Sequence, residues 1–370
     1  MKISNGVNKK NLNLILSFLF LILIFSIFLV FKYSQNKFLL APEIKNQEST
    51  QVTNTNISPI SGLICDNWSR RPMAVMLAGD NVARPLSGLA EADLVFEMPV
   101  ITGEITRLMA IFVCGQPKEI GSLRSARHDF ITLALAFDAI YVHWGGSHFA
   151  YEKLNKKVID NLDALPNPYN AFYRKSGIQP PHNGFTSMEK LTNSAKKLNY
   201  RLEGKFEEYL HENPKGARQG GRVVGGLESK TQIPNKKGIL KIEYPYPYNV
   251  EYQYNPETNS YLRWRGGKPE IDKNNNQQIE AENVVIMRTK SYQIEGQYNT
   301  VEVEGSGQAL VYQNGQEIKA TWQKDKSNQK SKLYFFDENK QEIKFIPGQI
   351  WIEVIEPDKE VKWEIGTKNI

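Results

Sequence analysis

Residues 106–144 set an apolar strand, an apolar helix and a second apolar strand in succession, and few architectures accept that order. Thr106–Val113 and Ala139–Trp144 are nearly unbroken apolar runs, the pattern of strands covered on both faces. Between them Phe130, Ile131, Leu133, Leu135 and Phe137 describe a well-buried helix, with Ser122 or Ser125 placed to cap it. Pro72–Ala78, ended by Gly79-Asp80-Asn81, and Leu94–Met98 read as further strands. The turn Thr102-Gly103-Glu104 makes Leu94–Met98 and Thr106–Val113 an antiparallel hairpin inside a mixed sheet. Helices are expected after Gly145-Gly146-Ser147, over Phe149–Leu162, and from the capping box Thr186-Ser187-Met188-Glu189 to Leu198. Strand–turn–helix order of this kind predicts an α/β domain built on a mixed sheet, over residues 63–230.

After Ile239 the pattern changes. ILKIEYP, NVEYQYN, SYLRWRG, NVVIMRT, TVEVEGS, ALVYQNGQEIKATW, KLYFFDENKQEIKF and QIWIEVI are short β-branched and aromatic runs separated by turn residues. Asn314-Gly315 is a type I′ hairpin signal. An all-β domain, sandwich-like or barrel-like, is expected over 231–370. Its many tyrosines and tryptophans read as core and cross-strand packing. The glycine- and arginine-bearing run Gly216–Gly226 reads as the connection between the two domains.

The N-terminal part has a different character. Asn11–Phe31 carries no charge and is long enough to cross a bilayer core as a helix. Lysines flank it on both sides and no cysteine closes it, which predicts an uncleaved single-span anchor over 11–33 with residues 1–10 in the cytoplasm. Residues 34–62, rich in Asn, Gln, Ser, Thr and Pro, read as a stalk that holds the folded part outside the cytoplasm.

The formal charge of +6 is spread along the chain without a Lys/Arg stripe and interleaved aromatics, so nucleic acid is not an expected partner. Two cysteines, Cys65 and Cys114, exclude a disulfide-dense scaffold and a CxxC metal site. They either pair or remain buried thiols.

The strongest chemical signal is cationic. Arg124, Arg127 and His128 gather where the central helix begins, against the positive end of its dipole. With Arg107 they can clamp a phosphate or carboxylate; alternatively they pair with Glu97 or Glu104. Strand ends and loops add Asp80, Glu97, His143, Ser147, His182 and Asn183 as candidate polar site residues. Ser147 also reads as a helix N-cap. HExxH and GxSxG are absent, so no metal ligand set is assigned. A single Mg²⁺ on Asp80 or Glu97, beside a bound phosphate, is the one cation the sequence accommodates.

The segments RPMAVMLAGDNVARPLSGLAEADLVFE, GEITRLMAIF, IGSLRSAR, DAIYVHWGGS and PPHNGFTS resemble the YerB-like family (domain of unknown function 3048), as do WRGGKPEID, GSGQALVYQNGQ and PGQIWIEV. The resemblance covers nearly everything after Cys65 and implies a bacterial cell-envelope protein related to lipoproteins. In plan alone, the anchor, the arginines and the His143 Gly-Gly turn are similar to the LytR-CpsA-Psr family, which implies transfer of wall polymers from lipid pyrophosphates. The expected function is a membrane-anchored binding or scaffold module with an arginine-lined anion site, whose partner is a phosphate-bearing envelope ligand or a protein. The alternative is an envelope enzyme acting on phosphate esters or pyrophosphates.

Overall fold

The computed structural model describes residues 56–101, 105–212 and 237–366, the backbone of 218–219 and 222–223, and the single residue Ser26. The expected anchor, most of the stalk, the turn 102–104 and most of 213–236 lie outside the described residues. Among the described residues no helix is long and apolar enough to cross a membrane.

Among the described residues, the strands of three or more residues are β1 (Met73–Ala78), β2 (Leu94–Pro99), β3 (Thr106–Phe112), β4 (Ile140–His143), β5 (Asn161–Asp163), β6 (Gly184–Thr186), β7 (Gly238–Ile242), β8 (Val250–Asn255), β9 (Ser260–Arg265), β10 (Asn283–Arg288), β11 (Ser291–Glu295), β12 (Tyr298–Val301), β13 (Gly305–Gln313), β14 (Gln316–Lys324), β15 (Tyr334–Asp337), β16 (Ile350–Ile355) and β17 (Val361–Ile365). The α-helices α1 (His128–Leu135), α2 (His148–Asn155) and α3 (Met188–Lys197) lie among them. The fold is mixed and sheet-dominated, with few helices.

Ten strands form one sheet in the order β15-β14-β13-β10-β16-β2-β3-β1-β4-β5. β1, β2 and β3 are buried along their whole length, as unbroken apolar strands must be when both faces are covered. On one face Met76, Phe96, Met109 and Ile111 pack with Phe130, Ile131 and Leu133 of α1. On the other, Val75, Val95, Leu108 and Phe112 meet Leu240, Tyr252 and Tyr261 of a second sheet, ordered β9-β8-β7-β17. In that second sheet β7 and β8 alternate buried with half-buried positions, since one of its faces is open to water.

The expected hairpin is present, with β2 and β3 antiparallel from Leu94↔Ile111 to Pro99↔Thr106. So is the turn at Asn314-Gly315, where both residues have positive φ, 53° and 66°. Ser187 caps α3 by accepting from Lys190 N. Other expectations are corrected. Neither Ser122 nor Ser125 caps α1; its N-cap is Arg127, which makes no side-chain cap bond. α2 stops at Asn155 and the chain returns as β5, where sequence periodicity had extended the helix to Leu162.

The β-rich part is not a separate sandwich or barrel. β16 pairs in parallel with both β2 and β10, so strands from either side of 216–239 share one sheet, and the described residues from 56 onward form one compact unit. Part of the expected stalk also belongs to the fold. Ser58 and Ser61 are buried and donate to Asp93 Oδ1 at 2.7 and 2.5 Å, while Val113 N and Cys114 N donate to Oδ2. Next to this carboxylate Cys65 and Cys114 form a disulfide, S–S 2.00 Å.

Candidate anion site

β1 and β4 pair in parallel only over Met73–Val75. Beyond that point residues 122–126 run between their extensions as a strap. Arg124 N donates to Met76 O at 2.9 Å, and Trp144 N donates to Arg124 O at 3.0 Å. Ala126 N donates to Gly145 O at 2.8 Å, and α1 starts two residues later. Ligands in α/β sheets sit where neighbouring strands diverge beyond their carboxyl ends. Here the strap delivers Arg124 and Arg127 to that position, while β3 contributes Arg107 from the face that carries Met109 and Ile111.

The three arginines hold different amounts of unspent hydrogen-bonding capacity. Arg124 is buried and largely engaged: Nε and Nη2 lie 3.3 Å from Asp80 Oδ2, and Nη1 donates to Ser122 Oγ, Leu123 O and Pro181 O at 2.8–2.9 Å. Its Nη2 also contacts His182 Nδ1. Arg107, 9% exposed, donates from Nη1 to Ser125 O at 3.1 Å, and its Nε has no partner. Arg127 donates to Ala126 O at 3.0 Å and lies 5.5 Å from the Tyr298 ring centre, again with Nε unpartnered. Among the described residues the one carboxylate within ion-pair distance of any of the three is Asp80, paired with Arg124. Burial, then the charges of Arg127 and Arg124, push Arg107 down to about 9. Burial also lowers Arg124 and Arg127. Three crowded, partly desolvated guanidiniums facing one carboxylate are an arrangement that an added anion relieves.

His182 lies beside this cluster. Burial and the Arg124 charge lower its pKa, which favours the neutral imidazole, whose Nδ1, facing a guanidinium, accepts. Asn183, buried, accepts from Arg174 Nη1 at 2.6 Å. The Arg174 guanidinium lies over the Trp144 ring, 4.3 Å from its centre. Sequence reasoning missed Arg174; a lone arginine ten residues after Ala164 carries no spacing signal.

Three predicted site residues lie elsewhere. His143 is fully buried, with Nδ1 2.8 Å from Gly145 O and Nε2 3.2 Å from Asn161 Oδ1, so both nitrogens have local partners. Ser147 caps α2, accepting from Ala150 N. Glu97 neither pairs with the three arginines nor faces solvent. It is fully buried between the sheets against Arg263 and Arg265 of β9, with Arg265 Nη1 at 2.7 Å. Arg84, Glu270 and Glu353 complete that network, three cations against three carboxylates. Burial pushes Glu97 up, but Arg265, Arg263 and the Thr106 hydroxyl outweigh it and hold the carboxyl at about 2. A carboxylate so committed is no Mg²⁺ ligand, which leaves Asp80 alone for the role foreseen for either, itself paired with Arg124. Among the described residues no group of three or more His, Cys, Asp or Glu could hold a metal. Glu104 lies outside the described residues.

The chain is similar to known proteins over most of its length. The profile "Protein of unknown function (DUF3048) N-terminal domain" matches residues 60–201, and the corresponding C-terminal domain profile matches 240–352. The "Putative lipoprotein YerB" of Bacillus subtilis (strain 168) is 29% identical over 308 residues, 81% of this chain and 86% of that protein. The crystal structure of the YerB protein from Bacillus subtilis superposes with a TM-score of 0.70 at 26% identity, covering 83% of this chain and 99% of that one.

Proposed function

The chain belongs to the DUF3048 family, and from that premise we propose that it is an extracytoplasmic, envelope-associated binding module whose Arg107–Arg124–Arg127 cluster takes a phosphate-bearing ligand. The relative described as a lipoprotein supports the location. So does the Cys65–Cys114 disulfide, a bond that persists in oxidising compartments. An N-terminal anchor over 11–33 is part of the same reading. The observation that carries the binding role is Arg107: a buried guanidinium, without a carboxylate partner among the described residues, repelled by two others.

Inorganic phosphate should raise the melting temperature of the full-length chain in a dose-dependent way, as mass action requires. Arg107→Met should abolish that response. Its ligand-free stability should stay within about 1 kcal/mol of the parent or rise, because a desolvated charge is removed. A parent blind to phosphate, or an Arg107→Met chain that still responds fully, sinks the reading. His182 supports the second reading, a phosphate-ester enzyme, since a neutral imidazole beside the arginines can move a proton. Turnover of an aryl phosphate that is lost in His182→Gln would select it.

A further inference from the structure

We propose that the site has a second anion position at Arg174, so that the ligand carries at least two phosphate or comparable anionic groups along one chain. The inference rests on the anion reading of the Arg107–Arg124–Arg127 cluster and names its ligand class.

Arg174 is exposed, yet it is held in place. Its guanidinium lies over the Trp144 ring at 4.3 Å and donates to Asn183 Oδ1 at 2.6 Å. Both supports are themselves fixed. Trp144 packs edge-on against Phe172, their ring centres 6.1 Å apart. Its ring also lies so close to Gly184 that a Cβ there would come within 2.5 Å of Cε3. Asn183 is buried, and its carbonyl accepts from Lys175 N at 2.9 Å. A surface arginine ordinarily spends its side-chain entropy on a carboxylate or keeps it in solvent. Among the described residues Arg174 has no carboxylate within ion-pair distance, and a planar guanidinium stacked on an aromatic ring keeps its outer N–H donors free for an anion.

The position is continuous with the buried cluster. Trp144 N donates to Arg124 O at 3.0 Å, and Asn183 follows His182, whose ring contacts Arg124. The same two short segments therefore support both guanidinium centres, one buried and one at the rim. The inner cluster, three arginines against Asp80, accounts for one phosphate group. The outer arginine is redundant for a lone phosphate and useful for a ligand that extends outward. For a ligand linked in this way the second contact forms at high effective concentration.

Calorimetric titration of the full-length chain with inorganic phosphate and with tripolyphosphate tests this. Tripolyphosphate should bind about tenfold or more tightly than phosphate. Arg174→Gln should lower the tripolyphosphate affinity severalfold more than the phosphate affinity and so remove most of the tripolyphosphate advantage. Arg174→Lys should restore part of it through charge without the planar fork. Lys319→Gln, which removes one exposed charge on β14, controls for net charge and should change neither affinity. Phosphate binding with no tripolyphosphate advantage, or an advantage that survives Arg174→Gln or falls equally in Lys319→Gln, overturns the second position and leaves the inner site standing. Failure of phosphate itself to bind overturns the reading beneath it.

Discussion

At the scale of single residues, the largest buried charge network among the described residues lies away from the candidate site. Glu97 and Glu353 stand side by side in parallel register on β2 and β16, both fully buried. Arg263 lies between them and over the Trp351 ring at 4.0 Å. Tyr252 and Tyr244 donate to Glu353 at 2.6 and 3.1 Å. Such a network is costly to break, because removing one member leaves an uncompensated buried charge. The two carboxylates divide the available positive charge unequally. Glu97 is held at about 2, whereas burial, opposed by Arg263 and reinforced by the Glu97 charge, raises Glu353 to about 7. A carboxyl raised in the folded state contributes stability that is present below its unfolded value near 4.5 and lost as pH rises through about 7. Glu353→Gln should therefore flatten the fall in stability between pH 5 and 8, by on the order of 2 kcal/mol in urea unfolding. Asp129 is raised into the same window, so the comparison is the difference between parent and mutant slopes. Equal slopes would show that Glu353 is ionised throughout.

Among the elements, the β13–β14 hairpin shows how a turn can also serve as a contact. Asn314 and Gly315 supply the two positive φ values, and Gly315 N donates to Tyr261 OH at 3.0 Å. A Cβ on Gly315 would come within 2.4 Å of Tyr254 Cε1. Tyr254 and Tyr261 belong to β8 and β9, so this turn of the large sheet is seated on the second one. Gly315→Ala should cost more than about 1 kcal/mol, from backbone strain and steric conflict together. Gly267 also has a positive φ, 76°, with nothing within 4 Å of its would-be Cβ. Gly267→Ala should thus cost less, from strain alone. Chemical denaturation of both variants checks the ordering, and equal costs would mean that the Tyr254 contact gives way freely.

For the molecule as a whole, the shared sheet decides whether the two halves can part. β16 sits between β2 and β10, and the six-residue network joins β2 and the segment at Arg84 to β9, Glu270 and β16. A specific protease site introduced within 225–230 should, once cut, leave fragments that co-elute in size-exclusion chromatography and unfold in one transition. The disulfide joins Cys65 to Cys114 inside the first fragment, so noncovalent contacts alone would hold the halves together. Separate elution in native buffer would mean that each half is a self-sufficient domain.

Sequence by itself determined whatever depends on neighbours along the chain. The β2–β3 hairpin, the Asn314-Gly315 turn, the Ser187 cap and the buried central strands all follow from local periodicity or local turn chemistry. The arginine cluster was legible for the same reason, since Arg124 and Arg127 are close in sequence and His182 stands in a loop that packing does not explain. Tertiary structure decided what alternation could not. In β9, Arg263 and Arg265 point inward while Leu262 and Trp264 are only half-buried, the reverse of the face that hydrophobicity selects. The inversion holds because Glu97 and Glu353 wait on strands 166 and 90 residues away, at Arg263–Glu97 and Arg263–Glu353. No local rule reports a partner at that distance. Parallel pairing of β16 with β2 is equally non-local. The two-part arrangement with a strand-rich C-terminal part stands, but this pairing joins strands of both parts in one sheet, because a strand buried on both faces is stable only where both faces are covered.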